Sequence, residues 1–307
     1  MRTRDERLRN EVQHPDRYKE ITIESGGVPI VLSVWRGAPR APTVVFFSGT
    51  MGHPLFHEEF LDCLNQAGFS VVGLHPQSHG KSPRVRRTLR WSDLVRNAID
   101  TVEWASHRFD GPLVAVGSSQ GGILATTVAS RCPQLAAVFA RNTVDPRLPQ
   151  TIEITSFPRW LRPVYRPLLV IVDGLARVAP RLPIPLGLYL DLDRVCRDPW
   201  TKEQFLLDPL LLRSYPLRFL ADLITADASG MTDGSISCPV VIMASTGDRV
   251  FPYSYMELIF ERLVAPKKEL MTFETDSHLL FHEELPMVLP RLVAKVAELA
   301  GEPTGNQ

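Results

Sequence analysis

The sequence predicts an α/β fold: a mostly parallel central sheet flanked by helices and interrupted once by a helical insertion. Three observations predict it. Short β-branched runs recur along the chain, several of them apolar on consecutive positions, as strands covered on both faces require. Helix-length segments stand between those runs, and alternation of strand with helix implies a mostly parallel sheet. From Asn142 to about Ser237 the strand pattern stops, and a stretch rich in proline, leucine and arginine takes its place.

The strand runs come in the order ITIES (21–25), PIVLSVW (29–35), TVVFFSG (43–49), FSVVGL (69–74), PLVAVG (112–117) and LAAVFA (135–140). Between them, EEFLDCLNQAG (58–68) reads as a helix closed by Gly68 at the C′ position, and WSDLVRNAIDTVEWASHR (91–108) as a helix with Ser92 at its N-cap. The insertion, which includes RPLLVIVDGLARV (166–178), offers helix-length segments and no good strand. The sheet pattern returns with PVVIMAS (239–245) and KELMTFET (268–275), and EELPMVLPRLVAKVAELA (283–300) closes the fold as a helix. The expected organisation is a core over 1–142, a helical insertion over 143–237 and the completion of the core over 238–307, the last six residues fraying.

Composition bounds the function. At 307 residues, with 44% hydrophobic and 22% charged residues, the chain is globular with a sizeable core. A formal net charge of +0 gives no general pull on nucleic acid or an anionic membrane. The N-terminal MRTRDERLRNEVQHPDRYKE has no apolar segment of a secretory signal, and no run approaches the ~20 apolar residues of a membrane span, so a cytoplasmic location is expected. Cys63, Cys132, Cys196 and Cys238 are far apart and form no metal-ligand spacing, which predicts free thiols.

The chemistry is announced by VAVGSSQGGILATTVAS (114–130), where a buried strand gives way at once to a helix. Gly117, Ser119 and Gly121 fit G-x-S-x-G in the strand–turn–helix setting that a nucleophile elbow requires. Small flanking residues let strand and helix pass closely, and the turn lifts the Ser119 hydroxyl to the carboxyl edge of the sheet. The backbone N–H of Gln120, at the helix start, is then a donor for an oxyanion. Asp248 follows the next-to-last strand in VVIMASTGDRVFP, and His278 follows the last in TFETDSHLLFHEEL, completing the chain order Ser, Asp, His. Asp145 is an alternative acid and His282 an alternative base. The second oxyanion donor is expected in the loop after TVVFFSG, at the N–H of Thr50, with Met51 beside it.

With these motifs in place, the chain resembles the α/β-hydrolase superfamily, and within it the monoglyceride lipase and lysophospholipase-like branch, also described as serine-aminopeptidase-like hydrolases. The resemblance spans roughly residues 20–142 and 238–300. GSSQGG resembles the branch's elbow, TGDRVFP its acid loop and SHLLFHEELPMVLPRL its histidine segment. HPQSHGKSPR is similar to its Gly-His-Gly-x-Ser loop, with Ser78 in place of the first glycine. Ser48 and Gly49 stand where the branch usually has His-Gly, and Gln120 where methionine or another residue commonly follows the serine; neither change removes a backbone donor. The resemblance implies that the insertion is a cap shaping an acyl pocket. The expected activity is hydrolysis of a carboxylic ester, acyl or otherwise lipophilic, through an acyl-enzyme, with no metal or organic cofactor. Alternatives are a thioesterase or amidase using the same triad, a non-catalytic binding protein of the same fold, and an insertion that serves mainly as a dimer surface. The apolar insertion also suggests weak contact with a lipid surface.

Overall fold

The computed structural model describes residues 10–86, 88–155 and 158–301, and of Tyr189 the backbone alone. The terminal six residues expected to fray lie outside the described residues.

Eight strands form one sheet, in the spatial order 18–25, 28–35, 70–75, 43–47, 113–118, 135–141, 240–245 and 268–273. β1 (Tyr18–Ser25) and β2 (Val28–Trp35) make a hairpin across Gly26 and Gly27, both at positive φ (57° and 78°), as a tight two-residue turn requires. β2 runs antiparallel to both its neighbours. β4 (Ser70–His75), β3 (Thr43–Phe47), β5 (Leu113–Ser118), β6 (Leu135–Arg141), β9 (Val240–Ser245) and β10 (Lys268–Phe273) are parallel throughout. Every residue of β3, β4 and β5 is buried, as is every residue of β9, which is the physical content of their unbroken apolar runs, whereas edge strand β1 alternates toward solvent.

Helices cover both faces. α1 (Glu58–Gln66) lies on one face together with the C-terminal helix, contributing Phe60, Leu61 and Leu64 to a core shared with Val44, Phe46, Val114 and Val116. α2 (Trp91–Ser106) and α3 (Gln120–Ala129) cover the other, over Val45, Phe47 and Ala115. Gly68 stands just past α1 at φ 98°, in its expected C′ role. The N-cap of α2 is Arg90, two positions earlier than the expected Ser92: the Arg90 N–H donates to the Asp93 carboxylate at 2.9 Å, so the reciprocal cap is set by Asp93 and Ser92 lies within the helix.

Between β6 and β9 the chain leaves the sheet as a cap. It contains α4 (Tyr165–Val178), α5 (Pro199–Leu207), α6 (Leu217–Ile224) and single helical turns at Leu186–Tyr189 and Leu192–Val195. It also contains strands, contrary to the sequence expectation: β7 (Pro183–Pro185) and β8 (Ser214–Pro216) pair antiparallel, with Ile184 opposite Tyr215. Three-residue strands, Pro-Ile-Pro and Ser-Tyr-Pro, carry too little alternation to register as a pattern. α7 (Tyr253–Arg262) packs beside β9 and β10, and α8 (Leu285–Ala300) completes the face begun by α1. All four cysteines are free thiols. Among the described residues no helix is long and apolar enough to cross a membrane.

Candidate active site

The elbow is set by sterics at the join of β5 and α3. Ser119, the one residue between them, has φ 55° and ψ −116°, a conformation that L-residues avoid and that surrounding structure must enforce. Its N–H donates to the Arg141 carbonyl at 2.7 Å, and its own carbonyl accepts from Gly122 N–H at 2.7 Å. The crossing is tight: a Cβ on Gly121 would stand 1.9 Å from the Phe47 carbonyl oxygen, and one on Gly122 1.8 Å from that of Asn142. Glycine is demanded here by backbone contact, beyond the G-x-S-x-G pattern itself.

Asp248 and His278 arrive from the ends of β9 and β10. His278 Nδ1 lies 3.2 and 3.1 Å from Asp248 Oδ1 and Oδ2, with both side chains buried. Beside an ionised carboxylate Nδ1 carries the proton, which leaves Nε2 as the basic nitrogen. The Phe251 ring stacks on the imidazole at 5.6 Å. Asp248 Oδ1 also accepts from the N–H groups of Val250 (2.8 Å) and Phe251 (2.9 Å). Burial alone would raise the Asp248 carboxyl, but the adjacent His278 and Arg141 and these hydrogen bonds outweigh it and hold it far below the usual carboxylate range.

Two residues not singled out from sequence complete this arrangement. Arg141, at the end of β6 and fully buried, donates through Nη2 to Asp248 Oδ2 (2.7 Å), Ser245 Oγ (3.0 Å) and the carbonyl of Ser277 (3.0 Å). Asn142, in the left-handed region at φ 60°, donates to Asp248 Oδ2 at 3.0 Å. Since the Arg141 carbonyl receives the Ser119 N–H, residues 141–142 tie elbow to acid loop. The only sequence signal was a charged residue closing the otherwise apolar run of β6.

The expected oxyanion donors also lie together. Gln120 opens α3, where the first N–H groups have no intrahelical acceptor. Thr50 is joined to it by a hydrogen bond from Oγ1 to Gln120 Oε1 (3.0 Å), a side-chain role that the sequence did not disclose. Met51, the neighbouring alternative, is otherwise engaged: its N–H donates to the Tyr215 hydroxyl at 2.9 Å. Gly49, Thr50, Ser119 and His278 line one pocket of about 30 Å³, to which the cap contributes Leu190, Val195 and Phe205. A larger hollow of about 670 Å³ opens by Thr88, but its charged lining, Arg90, Arg177, Arg218, Asp173 and Asp222, is mutually ion-paired and holds no nucleophile.

The alternatives are placed elsewhere. Asp145 forms a two-point pair with Arg147, at 2.8 and 2.9 Å. His282 belongs to a separate turn, Leu280–Glu283, that precedes α8, and it stacks on Phe56 at 4.7 Å. Ser78, where the resembled loop has glycine, takes φ 65°, so the backbone keeps the glycine-like conformation without the glycine.

The model of the serine aminopeptidase S33 family matches residues 38–285. The phospholipase YtpA of Bacillus subtilis is 21% identical over 253 residues, which cover 81% of this chain and 92% of that protein. The monoacylglycerol lipase of Paleococcus ferrophilus superposes with a TM-score of 0.69 at 22% identity, covering 89% of this chain and 99% of that one. A soluble variant of the monoglyceride lipase of Saccharomyces cerevisiae, solved with a substrate analogue, gives 0.72 at 16% identity, covering 94% and 96%. With a capped, mostly parallel sheet, a serine elbow at its carboxyl edge and the family match across most of its length, the chain belongs to the serine aminopeptidase S33 family of α/β-hydrolases.

Proposed function

We propose that the protein cleaves a carboxylic ester with a lipophilic acyl group, through an acyl-enzyme formed on Ser119. The observation that carries this reading is the convergence of the strained Ser119 elbow, the Asp248–His278 pair and the Thr50–Gln120 pair on one pocket. His278 Nε2 takes the hydroxyl proton of Ser119 as the oxygen attacks the ester carbonyl. Asp248 holds the imidazole and its Nδ1 proton. The N–H groups of Gln120 and Thr50 receive the oxyanion, a class of interaction worth about 3 kcal/mol per donor in the transition state. The alcohol leaves with the proton from His278, and water repeats the steps in reverse roles. These steps require no metal or organic cofactor.

An ester of a lipophilic acid is favoured by the apolar lining, Phe56, Leu190, Val195, Phe205 and Leu279, and by the names of the relatives, a phospholipase and monoacylglycerol lipases. Matched ester, thioester and anilide substrates test the leaving group. Ser119→Ala is expected to abolish ester turnover while the melting temperature stays near wild type; turnover at the wild-type rate would remove Ser119 as nucleophile.

The proposal extends to weak contact with a lipid surface through α4. Val170 (72% exposed), Ile171, Leu175 and Val178 (87% exposed) present apolar side chains to solvent there, and Arg177 stands among them.

A further inference from the structure

The loop that carries the second oxyanion donor is gripped by the cap at three points. Met51 sits buried at φ 57°, within a turn closed by a hydrogen bond from Gly52 N–H to the Gly49 carbonyl at 3.0 Å. Both of its backbone polar groups are taken by the cap segment before and within β8. Its N–H donates to the Tyr215 hydroxyl at 2.9 Å, and its carbonyl accepts from Leu212 N–H at 3.1 Å. Two residues on, His53 Nε2 meets the carboxylate of Asp208, at the end of α5, at 2.9 Å, both side chains being buried. A non-glycine residue in the left-handed region is held only by surrounding contacts, and here the cap supplies them.

Tyr215 also joins a hydrogen-bond chain whose direction can be derived. His79 Nδ1 lies 2.9 Å from the Gln77 carbonyl, which can only accept, so Nδ1 carries a proton. Burial pushes His79 down to about 4, so the ring is neutral and Nε2 is an acceptor. The Tyr215 hydroxyl, 2.8 Å away, must therefore donate to Nε2. Its oxygen is left to accept from Met51 N–H and from Gln120 Nε2 at 3.3 Å. That fixes the Gln120 amide with Oε1 toward Thr50, whose hydroxyl donates to it at 3.0 Å. Four bonds thus run one way, Thr50 to Gln120 to Tyr215 to His79 to Gln77, and they cross-link the two residues whose N–H groups would form the oxyanion hole.

We propose that Tyr215, a cap residue, is a positioning residue for the oxyanion hole: it locks the Thr50–Met51 peptide so that the Thr50 N–H remains the loop's available donor, and it orients Gln120 beside it. This rests on the hydrolase reading of Ser119. Without the hydroxyl, Met51 N–H loses its acceptor and the turn is free to rotate that peptide. The effect falls on the transition state, where the oxyanion exists, more than on the bound ester.

The test is Tyr215→Phe in the full chain, assayed on p-nitrophenyl esters. The expected result is a kcat lowered about tenfold to a hundredfold, below the ~10²–10³ of losing a donor outright, with KM changed less than about threefold. Affinity for phenylboronic acid, which forms a tetrahedral serine adduct, falls in parallel. Thr50→Val, which breaks the same chain while keeping the backbone N–H, lowers kcat in the same direction, and the double variant is no worse than Tyr215→Phe alone. A wild-type kcat in Tyr215→Phe, a loss confined to KM, or additive losses in the double variant would overturn the inference. Should Tyr215→Phe fail to fold, a wild-type kcat in Thr50→Val overturns it equally. Failure of the hydrolase reading shows instead in the wild type, as a folded protein without ester turnover or labelling of Ser119, and removes this inference with it.

Discussion

Asp248 carries an unusual load for a side chain expected only to orient a histidine. It faces His278, Arg141, Asn142 and two backbone N–H groups, and as an anion it is matched by a fully buried guanidinium. Because its folded pKa is depressed below the ordinary carboxylate value near 4, its contribution to stability is complete above about pH 4 and is lost as pH falls toward the folded value. Arg141→Met leaves a buried carboxylate without its cation. The expected cost is about 3–5 kcal/mol in urea unfolding, and the loss of stability in acid begins at higher pH, because the Asp248 carboxyl rises without the guanidinium beside it. An acid unfolding transition at the wild-type pH would show that Arg141 only fills space. Ser119, Asp248 and His278 could be read from sequence because each ends a strand and the three stand in one chain order. Arg141, Asn142 and Tyr215 could not, since what defines them is contact across roughly 100 residues of chain: Arg141 meets Asp248, and Tyr215 meets Gln120.

The core elements were legible, edge strand β1, β10 and α2 among them. β3, β4, β5 and β9 read as strands because every position is buried, and α1 and α8 because their apolar stripes face the sheet. In the cap, the helical character was legible and RPLLVIVDGLARV (166–178) coincides with α4, whereas its three-residue strands and single helical turns were too short to show a pattern. Two glycines separate sequence pattern from packing. Gly122, outside G-x-S-x-G, opposes the Asn142 carbonyl, so Gly122→Ala is expected to destabilise by at least about 2–3 kcal/mol. Gly174, within α4, has open space where a Cβ would stand, with nothing within 4 Å of that point, so Gly174→Ala is expected to stabilise by up to about 1 kcal/mol. Urea unfolding of the two variants checks both signs.

At the scale of the molecule, cap and core divide the work. The sheet delivers Ser119, Asp248 and His278 to one edge, while the cap lines the pocket with Leu190, Val195 and Phe205 and grips the Thr50–His53 loop through Asp208, Leu212 and Tyr215. The same cap turns the apolar side chains of α4 outward, where the proposed lipid contact would lie. Wild-type protein is expected to float with phosphatidylcholine vesicles and the Val170→Glu/Val178→Glu double variant to remain below; equal flotation of the two would remove that contact. The central claim, a competent Ser119–His278 pair, is tested most directly by reaction with a fluorophosphonate probe followed by peptide mapping in wild type, Ser119→Ala and His278→Ala. The account predicts a label on Ser119 in wild type that is absent from Ser119→Ala and strongly reduced in His278→Ala. A folded wild type left unlabelled at Ser119, or labelled equally in His278→Ala, would contradict it.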